Sequence, residues 1–191
     1  NTIEFITFAT TGSSNGFADL ASAGKQLNAG CESSTRGIIL GGYRGTSPSD
    51  ANATNNIQFF NFASTGNTTR FGELTQTARN VIAVSNTTRG VRMGGFTEPS
   101  NAFTNTIDYI TMASEGNATD FGDCLGLDLN GAPVQNATRG VMMGTEQPSS
   151  QLNVIQYITI ATTGDAIDFG DLSAARAGVP AGLSDVHGGL G

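Results

Sequence analysis

Ile107-Asp108-Tyr109-Ile110-Thr111-Met112 alternates β-branched and aromatic residues with polar ones, which is the period of a half-buried strand rather than a helix. Three other versions of the segment occur: Ile3-Glu4-Phe5-Ile6-Thr7, Ile57-Gln58-Phe59-Phe60-Asn61 and Ile155-Gln156-Tyr157-Ile158-Thr159. Their spacings of 54, 50 and 48 residues make the chain four copies of one unit.

The copies agree well beyond this strand. Each runs into a glycine (Gly12, Gly66, Gly116, Gly164) and then a tetrad beginning at Phe17, Phe71, Phe121 or Phe169. Eighteen or nineteen residues after each Phe comes Arg36-Gly37, Arg89-Gly90 or Arg139-Gly140, with His187-Gly188 in the fourth copy. Asn, Thr, Ser and Gly between the segments are turn chemistry. The tetrad fits a second strand paired to the first across a hairpin loop. Val81–Ser85 and Gly90–Gly94 read as a third and a fourth, turning at Asn86-Thr87-Thr88.

Four short strands per unit and no sustained helical period predict an all-β domain over 1–191, with repeats 2–55, 56–105, 106–153 and 154–191. A unit of this size cannot bury its own apolar face, so neighbouring sheets must stack with Phe and Ile between them. Nearly all length variation falls in one loop per copy: Tyr43–Asn56, Phe96–Asn105 and Glu146–Asn153. Variable loops on a constant frame usually share one face, which makes that face the expected contact surface. Tyr43, Arg44, Phe96 and Phe103 supply the aromatic and arginine character enriched at binding hot spots.

The order of Arg, strand, Gly-Gly (Gly41-Gly42, Gly94-Gly95), variable loop, aromatic strand and aromatic-x-x-Leu segment, followed by Ala78-Arg79 or Ala175-Arg176, resembles the kelch repeat. That resemblance spans essentially the whole chain and implies a β-propeller of four four-stranded repeats. The chain would begin at the third strand of one blade and end at the second of another. Two departures stand out: Phe where kelch blades carry Trp, and four blades instead of six or seven. An arc of a larger or multi-chain propeller is therefore the alternative. The wording Gly116-Asn117-Ala118-Thr119-Asp120-Phe121-Gly122-Asp123 resembles repeats in virion structural and tail-fibre proteins of aquatic bacteriophages.

Composition narrows the function classes. Nine basic and sixteen acidic residues give a net charge of −7, which disfavours a nucleic-acid-binding face. Only 13% of residues are charged, against about 25% in ordinary domains, and 26 are glycine. No apolar run approaches the ~18 residues of a membrane span. Asn1 stands where an initiator Met would be, with no leader after it, so the chain is expected to be processed or cut from something longer.

Candidate chemistry is sparse. Ser184-Asp185-Val186-His187 holds the residue types of a hydrolase triad, but triad members meet through the fold and not as sequence neighbours. No Cys or His pair has zinc spacing, and Asp128-Leu129-Asn130-Gly131 lacks the other acidic ligands of a calcium loop, so no metal or cofactor is expected. Arg36, Arg89 and Arg139 could ring an anion. Repetition at a fixed position favours a structural role, in which they satisfy carbonyls and acids between repeats. Asp19, Glu73, Asp123 and Asp171 read the same way. Asn52, Asn67, Asn86, Asn117 and Asn136 begin Asn-x-Thr triplets, better read as turns than as glycan sites. Cys31 stands where the other copies have Val84, Val134 and Gly182, and Cys124 where others have Leu; both read as small buried hydrophobes.

The expected function is thus a non-enzymatic virion or extracellular module, a tail-fibre or surface-fibre part contacting host polysaccharide or protein through its loops. One alternative is a purely structural virion or filament subunit whose loops bind other virion proteins or copies of itself. A second is a carbohydrate-active enzyme on a propeller scaffold, which needs two convergent carboxylates. A cytoplasmic kelch adaptor fits poorly with the missing Trp.

Overall fold

The computed structural model describes residues 1–21, 25–44, 53–100, 102–127, 130–176 and 182. Among them every element is a strand and every pairing is antiparallel. No helix among the described residues is long and apolar enough to cross a membrane.

The chain opens with a hairpin of β1 (Thr2–Phe5) and β2 (Asn15–Asp19). Next come β3 (Lys25–Gln26), β4 (Ala29–Glu32), β5 (Arg36–Leu40), β6 (Tyr43–Arg44), β7 (Asn56–Asn61) and β8 (Thr69–Glu73). Strands β4-β5-β7-β8 form a four-stranded sheet, while β3 pairs with β6. The plan repeats with β9 (Ile82–Ser85), β10 (Arg89–Met93), β11 (Phe96–Thr97), β12 (Ala102–Phe103), β13 (Thr106–Thr111) and β14 (Thr119–Asp123): the sheet is β9-β10-β13-β14, and β11 pairs with β12 inside the connecting loop. It repeats again with β15 (Ala132–Gln135), β16 (Arg139–Met143), β17 (Glu146–Gln147), β18 (Ser150–Thr159) and β19 (Ile167–Arg176), ordered β15-β16-β18-β19 with β17 on the start of β18. Each four-stranded sheet takes two strands from one sequence copy and two from the next.

The sheets stack face to face, and the core lies between them. Ile38, Leu40, Ile57, Phe59 and Phe71 meet Ile110 and Met112 of the following sheet. Val84, Val91, Ile107 and Phe121 in turn meet Met142, Ile158 and Ile160. Each fully buried Ile or Phe contributes about 1.5–3 kcal/mol. Because the central sheet is covered on both faces, β13 is not half-buried: Ile107, Asp108 and Ile110 are all buried. The polar positions of its alternation also point at protein, and they need partners there.

Those partners recur from copy to copy. Buried Gln58 accepts the Ala21 N–H at 3.0 Å, Asp108 the Thr75 N–H at 3.0 Å and Gln156 the Leu125 N–H at 2.9 Å, each donor lying on the preceding sheet. At the outer edge, Asn67, Asn117 and Asp165 accept the N–H of Asp19, Glu73 and Asp123 at 3.0, 3.1 and 3.0 Å. The backbones join there too, Ala118 N–H to Glu73 C=O and Ala166 N–H to Asp123 C=O, both at 2.8 Å. This seam explains the Phe-Gly pair. A Cβ on Gly72 would lie 2.0 Å from the Gly116 carbonyl oxygen, and one on Gly122 2.5 Å from that of Gly164.

A bulge recurs beside the same glycines. Ile107 faces Gly122 while Asp108 faces Asp120, so Phe121 is the extra residue; Phe17, Phe71 and Phe169 occupy the same place in their copies. At the other end of the sheets the Gly41-Gly42 and Gly94-Gly95 pairs have φ of 58°, 102°, 58° and 119°, a left-handed turn that side chains resist.

Candidate functional site

Register sorts the loops by end. Arg36 pairs with Asn61, Arg89 with Thr111 and Arg139 with Thr159, so the tight turns before these arginines share one end of the sheets with the hairpin loops after β7, β13 and β18. The three variable loops leave from the opposite end.

At that loop end the expected contact residues are largely engaged with one another. Tyr43 is buried, Phe96 and Phe103 are half-buried, and Arg44 is exposed. The Arg79 guanidinium lies 4.4 Å from the Phe96 ring centroid and 5.7 Å from that of Tyr43, and Phe96 meets Phe103 edge-on at 5.6 Å. Glu98 takes Arg79 Nε at 3.1 Å and the Ala53 N–H at 2.8 Å. From Arg79 the network runs through Asn80 to Asn130 at 2.8 Å and on to Glu146 at 3.2 Å, which links the ends of the last two sheets. Arg79 was legible only as part of the Ala-Arg motif. Its role rests on contacts with residues 17 to 36 positions away, which no local pattern announces.

The recurrent arginines belong to the frame. Arg36 donates to the Met112 carbonyl at 3.0 Å and Arg89 to that of Ile160 at 3.1 Å, each reaching the following sheet. Each also stacks on the aromatic residue of its paired strand: Arg36 on Phe59 at 4.9 Å, Arg89 on Tyr109 at 4.4 Å and Arg139 on Tyr157 at 4.6 Å. Beside Arg36 a cavity of about 260 Å³ is lined by Ser33, Thr35, Thr87 and Met112. Carbonyls and rings, rather than acids, satisfy these cations.

The other expected residues fall as follows. Phe71 and Phe121 are buried, Phe17 is half-buried and Phe169 is 56% exposed. At Glu73 and Asp123 the seam uses the backbone. Asn86 and Asn136 each accept the N–H groups of the residues two and three further on, which is turn chemistry. Ser184, Asp185, His187, Asp128 and Asn52 lie outside the described residues. Among the described residues no cluster of His, Cys, Asp or Glu could hold a metal ion.

Cys31 and Cys124 are buried in different core clusters and form no disulfide. Burial, aided by the Glu32 charge, pushes the Cys31 thiol far above its ordinary value of 9.0. The unfolded thiol ionises first, so its stability contribution is intact below about pH 9 and declines at higher pH. Cys31→Val, which installs the residue found at Val84 and Val134, is expected to keep stability at neutral pH and to reduce the alkaline loss. Chemical denaturation at neutral and alkaline pH checks both; an unchanged alkaline slope would remove the assignment.

No family model matches the chain, and no curated protein matches its sequence. Among solved structures it is similar to one described as "Structure of YjhT", with a TM-score of 0.71 at 7% identity over 86% of this chain. The chain spans 57% of that protein's length. At this identity the likeness is one of fold.

Proposed function

We propose that the chain is a kelch-like β-propeller segment serving as a non-enzymatic contact module of a virion fibre, with its loop end facing the host surface. Stacked four-stranded sheets of one repeated plan support the propeller reading. The likeness of 86% of this chain to 57% of a longer one suits an arc of a larger ring. Sparse charge and the Gly116–Asp123 wording support the virion setting.

The observation that carries the contact role is the loop end itself. Arg79, held between Tyr43 and Phe96 and paired with Glu98, ties together loops that would otherwise lose conformational freedom on binding. Glu98 and Asp108 are both occupied by arginines, which suits recognition better than acid–base chemistry.

A panel of immobilised bacterial lipopolysaccharides, capsular polysaccharides and outer-membrane proteins tests this. The chain is expected to bind at least one, and Arg44→Ala to weaken that binding about tenfold with unchanged melting, because Arg44 is exposed. Absence of binding throughout the panel, or release of soluble sugar from it, would overturn the proposal.

A further inference from the structure

We infer that the chain associates head to tail with a second copy of itself, the first hairpin of one copy docking on the last sheet of the other. The partner is identified by the internal seams. Between the second and third sheets and again between the third and fourth, one side offers the arginine, the outer-strand Phe-Gly pair and the N–H two residues after the tetrad's acid. The opposing side offers a buried acceptor, a hydrophobic residue and a loop.

Gly182 lies against Pro133 of β15, and elsewhere the described residues of the last sheet carry the first half of such a seam exposed. Phe169 is 56% exposed, and a Cβ on Gly170 would meet nothing within 4 Å, although Gly72 and Gly122 at the same position are each closely approached by a neighbouring backbone. Arg139 is exposed where Arg36 and Arg89 reach across to a carbonyl, and Ser173 is exposed where Thr75 and Leu125 donate to Asp108 and Gln156.

The β1–β2 hairpin carries the second half. Glu4 is exposed at the position of Gln58, Asp108 and Gln156, and its carboxylate can accept the Ser173 N–H. Ser13 stands where Asn67, Asn117 and Asp165 accept the outer-strand N–H. Phe8 is 97% exposed, whereas Met112 and Ile160 at its position are 1% and 0% exposed beneath the preceding sheet. The two halves therefore complement each other, but among the described residues they do not meet within one chain. A heterologous contact of this kind joins copies in a ring or a row. It does not depend on what the loops bind.

Light scattering across a concentration series is the test. The chain is expected at multiples of 19.6 kDa, rising with concentration, and Phe8→Asp at 19.6 kDa with unchanged melting, since an exposed side chain can be replaced without disturbing the fold. A wild-type chain that stays at 19.6 kDa overturns the inference, as does a Phe8→Asp chain that associates undiminished. Cross-linking separates docking between copies from closure within one chain. Met112 and Ser34 line the same cavity at the seam, and Ala137 stands at the position of Ser34 in the last sheet. Chains with Phe8→Cys mixed with chains carrying Ala137→Cys are expected to give a disulfide-linked pair. A double variant that links only within one chain would sink the head-to-tail contact.

Discussion

Asp108→Leu is expected to destabilise the chain by about 3–5 kcal/mol, the cost of leaving a buried charge without its partner. Arg92 and Asp108 have fully buried side chains, and the guanidinium grips the carboxylate at 3.0 and 2.8 Å while its Nη1 donates to the Gly94 and Thr106 carbonyls at 2.9 and 3.1 Å. The same carboxylate accepts from the Thr75 amide and hydroxyl, at 3.0 and 2.6 Å. A leucine there would strand the cation and the Thr75 N–H together. For a chain of this length the melting temperature should fall by about 10 °C.

The chain contains its own control for that prediction. Arg92 faces Asp108 across β10 and β13 as Met142 faces Gln156 across β16 and β18. Arg92→Met combined with Asp108→Gln rebuilds the pair of the next sheet and keeps an acceptor for Thr75. The double variant is expected to recover most of the loss, because a buried ion pair replaced whole by a satisfied alternative is often neutral. Thermal melts of the two variants decide it. A single-variant loss below about 1 kcal/mol, or a double variant no better than the single, would show that the pair is not held as described.

The four main strands of each copy and their hairpin pairings were legible because both depend on local signals: period-2 alternation around Ile57, Ile107 and Ile155, and turn residues at Asn86 and Asn136. The pairing of β5 with β7, β10 with β13 and β16 with β18 spans the variable loops and has no such signal. Which positions carry the long-range order was not. Alternation marks Gln58, Asp108 and Gln156 as polar and therefore solvent-facing, and that holds only for a sheet with one covered face. Here the neighbouring sheet covers the other face, and the polar residues become the locks between sheets. Nor does alternation reveal a bulge. The extra residue at Phe71 or Phe121 is visible only once both strands are aligned.

The candidate site was legible as loops and not as a network. Tyr43, Phe96 and Phe103 stood out by type, yet Arg79 organises two of them from the connection between sheets, and Glu98 reaches it from the turn that follows β11. Repetition was the better guide for Arg36 and Arg89. A residue required at the same place in every unit is answering to the frame, and both reach the following sheet.

Repetition also predicts where equivalent residues should differ in energy. Phe121→Ala is expected to cost about 3–5 kcal/mol, since Phe121 is buried against the following sheet's cluster and edge-on to Tyr109 at 5.9 Å. Phe169 has the same bulge and an equivalent edge-on partner, Tyr157 at 5.9 Å, but is 56% exposed. Phe169→Ala should therefore cost about 1 kcal/mol or less where the chain is dilute enough to be a monomer. Denaturant melts of both variants measure the contrast directly. Equal losses at dilution would mean that the last sheet is already covered within one chain, against the exposure seen. If the last sheet is instead the docking face for another copy, the Phe169→Ala loss should grow as concentration rises, while the Phe121→Ala loss, internal to one chain, should not.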